Sequence, residues 1–437
     1  MDMIELMRTL LVKNRTIVSS DMQECMDLIA KEIPLTVHRY ASGEEHGTWV
    51  VPPRWDVVGA TLSDGERVLA SYDQHPLFVA PYSTPFTGWV TREELLEHVK
   101  TVPRLPDAYF YEHRLASDHR RRLRDWVITV PHHLVEQLTE SRYLVDLRFD
   151  TGDGHMLVAE SSLRGRHEAT FALLTHLCHP GQANDGLAGV AVGVEVMRRL
   201  RARLSRPEYS YRLLVMPETI GSAVHLAANE ATIPEYLGAV FIEMAGIRSP
   251  IRLGHTRRGD TYVDRVLKHV LTESGHPFTE CAWMEQWGND ELVFDSPGVG
   301  IPTASLERYP YDCYHTSEDD MAATDERSLE ELVEILLQAV ATIESDFIPR
   351  PRQKVPIYLT RYDLYADAVE RRSEYDLNLA ILEALWSGMS VFDAALKLGA
   401  PFARVRDYVQ RMVDLGLVEQ LPLTPAYVRH GATPFNG

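Results

Sequence analysis

Residues 175–189, THLCHPGQANDGLAG, constrain the fold of this chain more than any other stretch. The apolar run 171–174 leads into it and predicts a buried strand whose end carries His176 and His179. The sequence NDG at 184–186 follows, and the small residues after it predict a helix that packs closely against a sheet. Because α/β folds place ligands at the carboxyl ends of their strands, this stretch predicts one side of a metal site.

Polar residues follow two further predicted strands. The apolar runs 211–216 and 239–242 predict buried strands, and Glu218 and Glu243 come directly after them. A later polar loop contributes His315. Since the carboxyl ends of parallel strands meet at one edge of a sheet, we expect these side chains to converge.

Three units are predicted from the pattern of strands, helices and turns. Residues 1–40 and 106–348 form an α/β catalytic domain with a mixed, mostly parallel sheet flanked by helices. Residues 41–105 form an inserted, small β-rich domain of short strands and turns. The proline-rich linker 348–356 precedes residues 357–437, whose helix-turn-helix pattern predicts a C-terminal winged-helix module.

Three local predictions concern the region before the first metal-site strand. Residues 77–82 predict a short strand. The runs 142–149 and 155–161 flank the turn sequence TGDG and predict a β-hairpin. Residues 106–141, rich in histidine and arginine, predict a solvated basic face, with a patch for an anionic substrate as the alternative.

Charge narrows the choice of partners. The formal net charge of −19 disfavours binding to nucleic acid or to an anionic membrane. In the C-terminal module, Arg404, Arg406 and Arg411 are balanced by Asp407 and Asp414, whereas binding to phosphates needs a basic face. We therefore expect an interaction or dimerisation module, with a homo-oligomer through this module or the insertion as one candidate assembly.

Targeting signals are not evident in the sequence. It shows no signal-peptide pattern and no apolar stretch of the roughly 20 residues that a membrane span needs. The four cysteines are scattered, which is typical of a reducing compartment. These features predict a cytoplasmic protein that does not act at a membrane.

The polar residues at the predicted strand ends indicate a zinc site when they are taken together. Zinc needs a few nitrogen and oxygen ligands, an open position for water, and a nearby carboxylate that acts as a base. Each residue alone has an ordinary explanation, such as a helix N-cap for Asp185 or a solvated turn for Glu218. Their joint occurrence in this order favours the metal site.

The order of the motifs resembles that of zinc aminopeptidases of the bacterial leucyl-aminopeptidase type, whose relatives include glutaminyl cyclases. The matching residues are His176, Asn184-Asp185-Gly186, Glu218-Thr219-Ile220-Gly221, Glu243-Met244-Ala245-Gly246 and His315-Thr316-Ser317-Glu318-Asp319. The whole chain is similar to a bacterial aminopeptidase-like family with a β-rich insertion, a Trp-x-Val-Pro-Pro-x-Trp entry at 49–55, a His-x-Cys-His-Pro stretch and a C-terminal winged helix.

This resemblance implies a metal-dependent hydrolase of amide or peptide bonds. A metal-bound water would attack the carbonyl, and Glu218 would be the general base. The implied metal ligands are His176 or His179, Asp185 as a bridge, Glu243 and His315. The residues alone do not decide between the two histidines. The resemblance favours His176, because it ends the strand.

Two departures from the family pattern affect the expected metal content. Thr219 stands where the family has a second glutamate, so one carboxylate of a second metal position is missing. Cys178 replaces the aspartate that orients the first histidine, and it is either a small buried side chain or a thiolate ligand. One zinc ion is therefore expected rather than two.

Three further residues are assigned to the surroundings of the metal. Asp290 would contact the amine of the substrate or the metal ligands. Arg308 would bind a carboxylate or a tetrahedral oxyanion, and Tyr314 would donate to the oxyanion. The expected substrate is a small peptide or an aminoacyl or acylamino metabolite, since the extra domains would restrict entry.

Two alternatives to this hydrolase remain open. The same scaffold suits a different amide chemistry, such as cyclisation or deacylation of a small metabolite. A catalytically inactive protein that binds or regulates through the C-terminal module is the other alternative.

Overall fold

The computed structural model describes residues 1–114, 125–285 and 288–432, so part of the basic stretch 106–141 lies outside the described residues. Its strands are β1 (Thr36–Ala41), β2 (Glu45–His46), β3 (Trp49–Val50), β4 (Arg54–Ser63), β5 (Val68–Ser71), β6 (Phe86–Thr91), β7 (Val99–Lys100), β8 (Ile128–Thr129), β9 (Arg142–Gly152), β10 (His155–Leu163), β11 (Thr170–His176), β12 (Ser210–Met216), β13 (Tyr236–Ile242), β14 (Ile251–Gly254), β15 (Phe278–Cys281), β16 (Thr303–Arg308), β17 (Ile348–Pro351) and β18 (Val418–Leu421). Its helices are α1 (Met3–Leu11), α2 (Asp21–Ile29), α3 (Arg92–Glu97), α4 (His132–Gln137), α5 (Gly189–Arg203), α6 (Ile220–Ala228), α7 (Tyr262–Ser274), α8 (Asp290–Phe294), α9 (Glu326–Ser345), α10 (Arg372–Ala384), α11 (Val391–Leu398), α12 (Phe402–Asp414) and α13 (Pro425–His430).

An eight-stranded sheet forms the centre of the molecule, in the order β1-β10-β12-β11-β13-β16-β14-β15. Its middle strands β12, β11, β13 and β16 are parallel, whereas β10 and β14 join it antiparallel. Every residue of β11 is buried, as expected for a parallel strand covered on both faces. The predicted α/β fold with a mixed sheet flanked by helices is confirmed.

The two faces of the sheet bury separate apolar clusters. Leu173 packs in the cluster that contains Val190 of α5 and Leu336 of α9. The next residue, Leu174, belongs to the cluster that contains Val224 of α6 and Leu147 of β9. Because successive side chains of a strand point to opposite faces, the continuous apolar run of β11 serves both clusters.

The connections around β11 create the crevice that holds the candidate site. The chain runs from β11 through α5 to β12 on one side, and then through α6 to β13 on the other side of β11. Such a reversal of direction opens a crevice at the carboxyl ends of the strands. His176 is the last residue of β11 and therefore lies at this crevice.

A four-stranded sheet in the order β5-β4-β9-β6 packs beside the large one. It includes β9, which lies outside the predicted insertion at 41–105. The hairpin predicted around TGDG is wrong, because β9 pairs with β4 and β6 whereas β10 pairs with β1 and β12. Here the long ladder between β4 and β9 overrides the local turn signal.

The strand predicted at 77–82 is also wrong. Residues Pro76–Phe78 form a 3-10 turn instead, because Pro76 starts it and the Leu77 N–H donates to the Nδ1 atom of His75. This turn packs near β8, where the Thr129 hydroxyl donates to the carbonyl of Leu77.

The C-terminal segment contains the predicted helix pair, as α11 and α12, and β18 pairs antiparallel with β17. The buried Asp346 carboxylate accepts hydrogen bonds from the Tyr262 hydroxyl at 2.7 Å and the Phe392 N–H at 2.8 Å, which ties α7 to α11. The winged-helix assignment and the domain boundaries stay predictions.

The arginines of α12 contact neighbouring acidic and carbonyl groups. Arg404 pairs with Glu374, Arg406 pairs with Asp407, and Arg411 donates to a backbone carbonyl. No helix in the described part of the chain is long and apolar enough to cross a membrane.

The close approach of α5 to the sheet yields a test of the fold. A Cβ atom on Gly189 would lie 2.1 Å from the backbone oxygen of Ile242, so this position accepts only glycine. We expect Gly189→Ala to lower the free energy of unfolding by about 1–3 kcal/mol or more, measured by chemical denaturation. The matched control is Gly298→Ala, which enters open space and should stay within about 0.5 kcal/mol of the parent. Equal stability of the two variants would contradict this packing.

Candidate metal centre

His176 occupies the innermost position of the centre. Its side chain is fully buried at the end of β11. The Nε2 atom lies 3.4 Å from the Asp185 Oδ1 atom and 3.3 Å from the Glu243 Oε2 atom. These three residues form a buried group of one nitrogen and two oxygen donors.

Asp185 is held in place by the backbone around it. The N–H groups of Asn184 and Asp185 donate to the two oxygens of Asp319 at 2.7 and 3.0 Å. Gly186 has φ +104°, and a Cβ atom there would lie 2.8 Å from the backbone oxygen of His176. Glycine at 186 is therefore required both by a left-handed backbone and by close packing against His176.

The Asp185 carboxylate faces two different imidazoles. Its Oδ1 atom faces His176, whereas its Oδ2 atom lies 3.1 Å from the Nε2 atom of His315. His179 forms a second group of donors together with Asp185 and His315, and the ligand atoms of these three residues lie within 4.8 Å of one another. The sequence left open whether His176 or His179 belongs to the site, and the structure brings both to it.

Glu218 follows β12 and lies beside the two donor groups. Its Oε2 atom is 3.4 Å from the Nε2 atom of His179 and 3.2 Å from the Nε2 atom of His113. Its backbone N–H donates to the Cys178 sulfur at 3.1 Å. Burial raises the pKa of the Cys178 thiol, so this residue fits a buried positioning role better than a thiolate ligand.

The turn after Glu218 is strained and fixed by Asp290. Thr219 has φ +61°, which a β-branched residue rarely adopts. The Asp290 Oδ1 atom accepts from the Thr219 N–H at 2.9 Å and from the Ser222 hydroxyl at 2.6 Å. Asp290 therefore orients the Glu218 turn, and the substrate contact predicted for it stays a prediction.

Burial determines the protonation of the histidines. It lowers the pKa of His113 to about 4 and that of His179 well below its usual range. These imidazoles are therefore neutral near pH 7, the form that binds metals. His176 differs: burial would lower its pKa, but hydrogen bonds to Asp185, Cys178 and Glu243 raise it well above the usual range.

Burial also acts on the carboxylates. It raises the pKa of Glu218 to about 8 and that of Glu243 well above its usual range. Burial would also raise the pKa of Asp185. The charge interaction with His179 and the hydrogen bonds with His176 and His315 outweigh burial, so the pKa of Asp185 is lowered well below its usual range.

The residues present fit a divalent cation. In the described ranges, the ion pairs of Asp185, Glu218 and Glu243 are all with histidines, and none is with lysine or arginine. Burying carboxylates without a cationic partner is expensive. A bound metal ion would remove this cost, and the imidazole and carboxylate donors are those that zinc takes.

Two of the predicted site residues have other contacts. Arg308 donates to the carbonyls of Ala245, Ser249 and Ser328 and to Glu331, so it braces the loop after β13 against α9. Its predicted role in binding substrate is not supported by these contacts. The ring of Tyr314 stacks on His315 with centroids 3.8 Å apart, which places it at the centre.

His113 is the site residue that sequence reasoning missed. It lies in the basic stretch interpreted as a solvated face, yet its ring stacks on His179 with centroids 4.8 Å apart. Its neighbour Tyr111 donates its N–H to the carbonyl of His315 at 2.8 Å, and Phe110 bridges to Thr316. No spacing in the sequence signals this contact, because about 200 residues separate the two segments.

Comparisons with known proteins find relatives that carry an aminopeptidase-like domain. A Clostridium acetobutylicum protein named "Putative polysaccharide biosynthesis protein with aminopeptidase-like domain" is 32% identical over 339 residues, covering 76% of this chain and 75% of its own length. The crystal structure of a "putative peptidase" from Clostridium acetobutylicum is 26% identical, with a TM-score of 0.81 over 96% of each chain.

A more distant structure shares the fold alone. The zinc aminopeptidase BSAP from Bacillus subtilis is 14% identical, with a TM-score of 0.57, covering 77% of this chain and 93% of that one. The family described as "Domain of unknown function (DUF4910)" matches residues 4–346, which include every donor of the centre. The chain therefore belongs to the DUF4910 family and has an aminopeptidase-like fold.

Proposed function

We propose that this protein is a metal-dependent hydrolase of amide or peptide bonds, of the aminopeptidase type. The observation that carries the proposal is the Asp185 carboxylate lying between His176 and His315, with Glu218 beside it. The aminopeptidase-like fold and relatives support the same reaction class.

His176, Asp185 and Glu243 would hold the metal ion, for which zinc is the best match to the donor set. When bound, the ion would supply Lewis-acid polarisation of the scissile carbonyl and a lowered pKa for the attacking water. The Asn289 side-chain amide donates to the Glu243 Oε1 atom at 2.7 Å, which leaves the Oε2 atom directed at His176.

Glu218 would act as the general base. Burial raises its pKa to about 8 in the absence of a cation, and a cation bound nearby would lower that pKa, so that the carboxylate could accept a proton near neutral pH. It would take a proton from the attacking water at Oε2 and pass it to the leaving amine. His113 and His179 contact that same oxygen and would hold it in position.

One side of the centre is formed by a segment that is distant in the sequence. Residues 109–111 dock along the loop that carries His315: the Ser317 N–H donates to the Tyr109 carbonyl at 3.0 Å, and the Ser317 hydroxyl accepts from the Tyr109 N–H at 3.0 Å. With this segment on one side of the centre, a small peptide, or an aminoacyl or acylamino metabolite, is the substrate class we propose.

Glu218→Gln tests the general base. We expect kcat on a panel of aminoacyl and N-acyl amides to fall by about 10²–10⁴-fold, because the amide cannot accept the proton. Metal content, measured by elemental analysis, should not change. Glu280→Gln is the matched control, since Glu280 pairs with His255 and Lys268 outside the centre. Undiminished turnover by Glu218→Gln would assign the base elsewhere.

Metal removal tests the cofactor. Chelation should abolish hydrolysis, and zinc at about 100 times its dissociation constant should raise the free energy of unfolding by about 2.7 kcal/mol. Asp185→Asn should weaken this stabilisation, because a neutral amide binds cations poorly. Differential scanning calorimetry with and without zinc measures the effect. A purified protein that never holds a divalent cation would overturn the proposed function.

A further inference from the structure

A group of two histidines and one glutamate shares no residue with the candidate metal centre. His38 of β1, Glu160 of β10 and His225 of α6 each offer one ligand atom, and these atoms lie within 4.8 Å of one another. His38 and Glu160 lie diagonally across the antiparallel ladder between β1 and β10, on one face of the sheet. The ring of His225 lies against that of His38, with centroids 4.8 Å apart. Three segments that are distant in the sequence therefore converge here.

The spacing of two of these donors fits a shared metal ion better than a direct ion pair. The Nε2 atom of His38 lies 3.3 Å from the Oε2 atom of Glu160. A charge-assisted hydrogen bond would be shorter, at roughly 2.7–2.9 Å. Two ligands that are each about 2.0–2.1 Å from a tetrahedral zinc ion lie roughly 3.3 Å apart. The donor pair of His176 and Glu243 in the candidate metal centre has the same spacing of 3.3 Å.

Contacts outside the donor group direct Glu160 at the histidines. Its Oε1 atom accepts from the Ser162 hydroxyl at 2.5 Å and lies 3.2 Å from the Nε atom of Arg212. These contacts leave the Oε2 atom facing His38, and contacts of this kind orient the ligands of metal sites. The Arg212 guanidinium also pairs with Glu235 at 3.7 Å. Two carboxylates and one guanidinium thus leave a net negative charge beside the imidazoles, which favours a cation.

His225 is held in an orientation and a charge state that suit a metal ligand. Its Nδ1 atom lies 2.9 Å from the Tyr40 oxygen, to which the Asn229 amide donates at 3.3 Å. A ring nitrogen that is engaged in this way leaves the other nitrogen for a metal ion. Burial lowers the pKa of His225 to about 4, so its ring is neutral near pH 7, the form that binds metals.

The donor group is accessible from one side. His225 is buried, whereas 29% of the His38 side chain is exposed. Glu160 also borders a cavity of about 610 Å³. A cation can therefore enter, and a water molecule can complete a tetrahedral set with the three protein ligands.

We propose that His38, Glu160 and His225 bind a zinc ion at a site separate from the candidate metal centre. Two imidazoles and one carboxylate are a donor set that zinc takes, whereas magnesium and calcium prefer oxygen ligands. The ion would join β1, β10 and α6, and a link that closes a long loop stabilises a fold most. Here 122 residues separate His38 from Glu160. The ion would also hold α6, which begins directly after the Glu218 turn.

The zinc content of single variants tests this site. The full-length metal-free protein is titrated with zinc by calorimetry, and its content after dialysis is measured by elemental analysis. We expect His38→Gln and His225→Ala each to bind one ion fewer per chain than the parent protein. Thermal melting checks that both variants fold, and His38→Gln is the milder change because this side chain is partly exposed. Zinc content in His38→Gln equal to that of the parent would overturn the proposal.

His167→Gln is the matched control. His167 also faces a glutamate, with its Nε2 atom 3.1 Å from the Glu208 Oε1 atom, but among the described residues it belongs to no candidate donor group. This variant should keep the zinc content of the parent. Loss of one ion from His167→Gln as well would show adventitious binding to surface histidines and overturn the proposal.

Asp185→Asn separates this site from the candidate metal centre. Zinc should still raise the melting temperature of this variant, because the group at His38 is intact. The rise should be smaller in the double variant, Asp185→Asn with His38→Gln, and an equal rise would overturn the proposal. Loss of all zinc in Asp185→Asn would overturn this site and leave the proposed function standing. A parent protein that binds no zinc would overturn both.

Discussion

The contact of one buried carboxylate with two imidazoles underlies the rest of the centre. Asp185 can lie between His176 and His315 only because Asp319 accepts hydrogen bonds from the turn before it and Gly186 adopts φ +104° after it. The Asp319 contact joins the start of the site sequence to its end, since this residue closes the His315 loop. The turn and the loop therefore fix each other's positions.

The positions of the donor side chains depend on both the rigid sheet and the strained loops that follow its strands. The parallel strands β11, β12 and β13 set the backbone positions of His176, Glu218 and Glu243 at one edge. The side chains are then aimed by unusual backbone conformations: φ is +61° at Thr219, +44° at Met244 and +53° at His315. Strain concentrated beside reactive groups is common at functional sites, where the surrounding packing compensates for it.

The sequence predicted those parts of the molecule that depend on local patterns. The buried run of β11 and the residues after each strand placed His176, Asp185, Glu218, Glu243 and His315 at one sheet edge, and the structure brings all five together. Patterns that depend on distant partners were not predictable. The strand β9 has the alternation of a hairpin strand, yet its pairing partner lies in β4.

The contacts of the Arg308 side chain were also not predictable, because they depend on residues that are distant in the sequence. A cation beside a catalytic loop is a reasonable candidate for binding substrate, and only the fold reveals that backbone carbonyls and Glu331 occupy its donors. His113 is the opposite case, because a residue within a basic, polar stretch becomes part of the centre through strand-like contacts with the His315 loop.

The high proportion of imidazoles in the proposed donor set has a chemical consequence for the metal that it would hold. Thr219 is uncharged where the family that the chain resembles has a glutamate, and His179 is neutral because burial lowers its pKa. Cations bound here would be neutralised less than in a site richer in carboxylates. Hard ions such as magnesium or manganese gain most from oxygen ligands, whereas zinc retains its affinity for nitrogen. The proposed donor set would therefore favour zinc over the hard divalent cations, through residues from three separate parts of the chain.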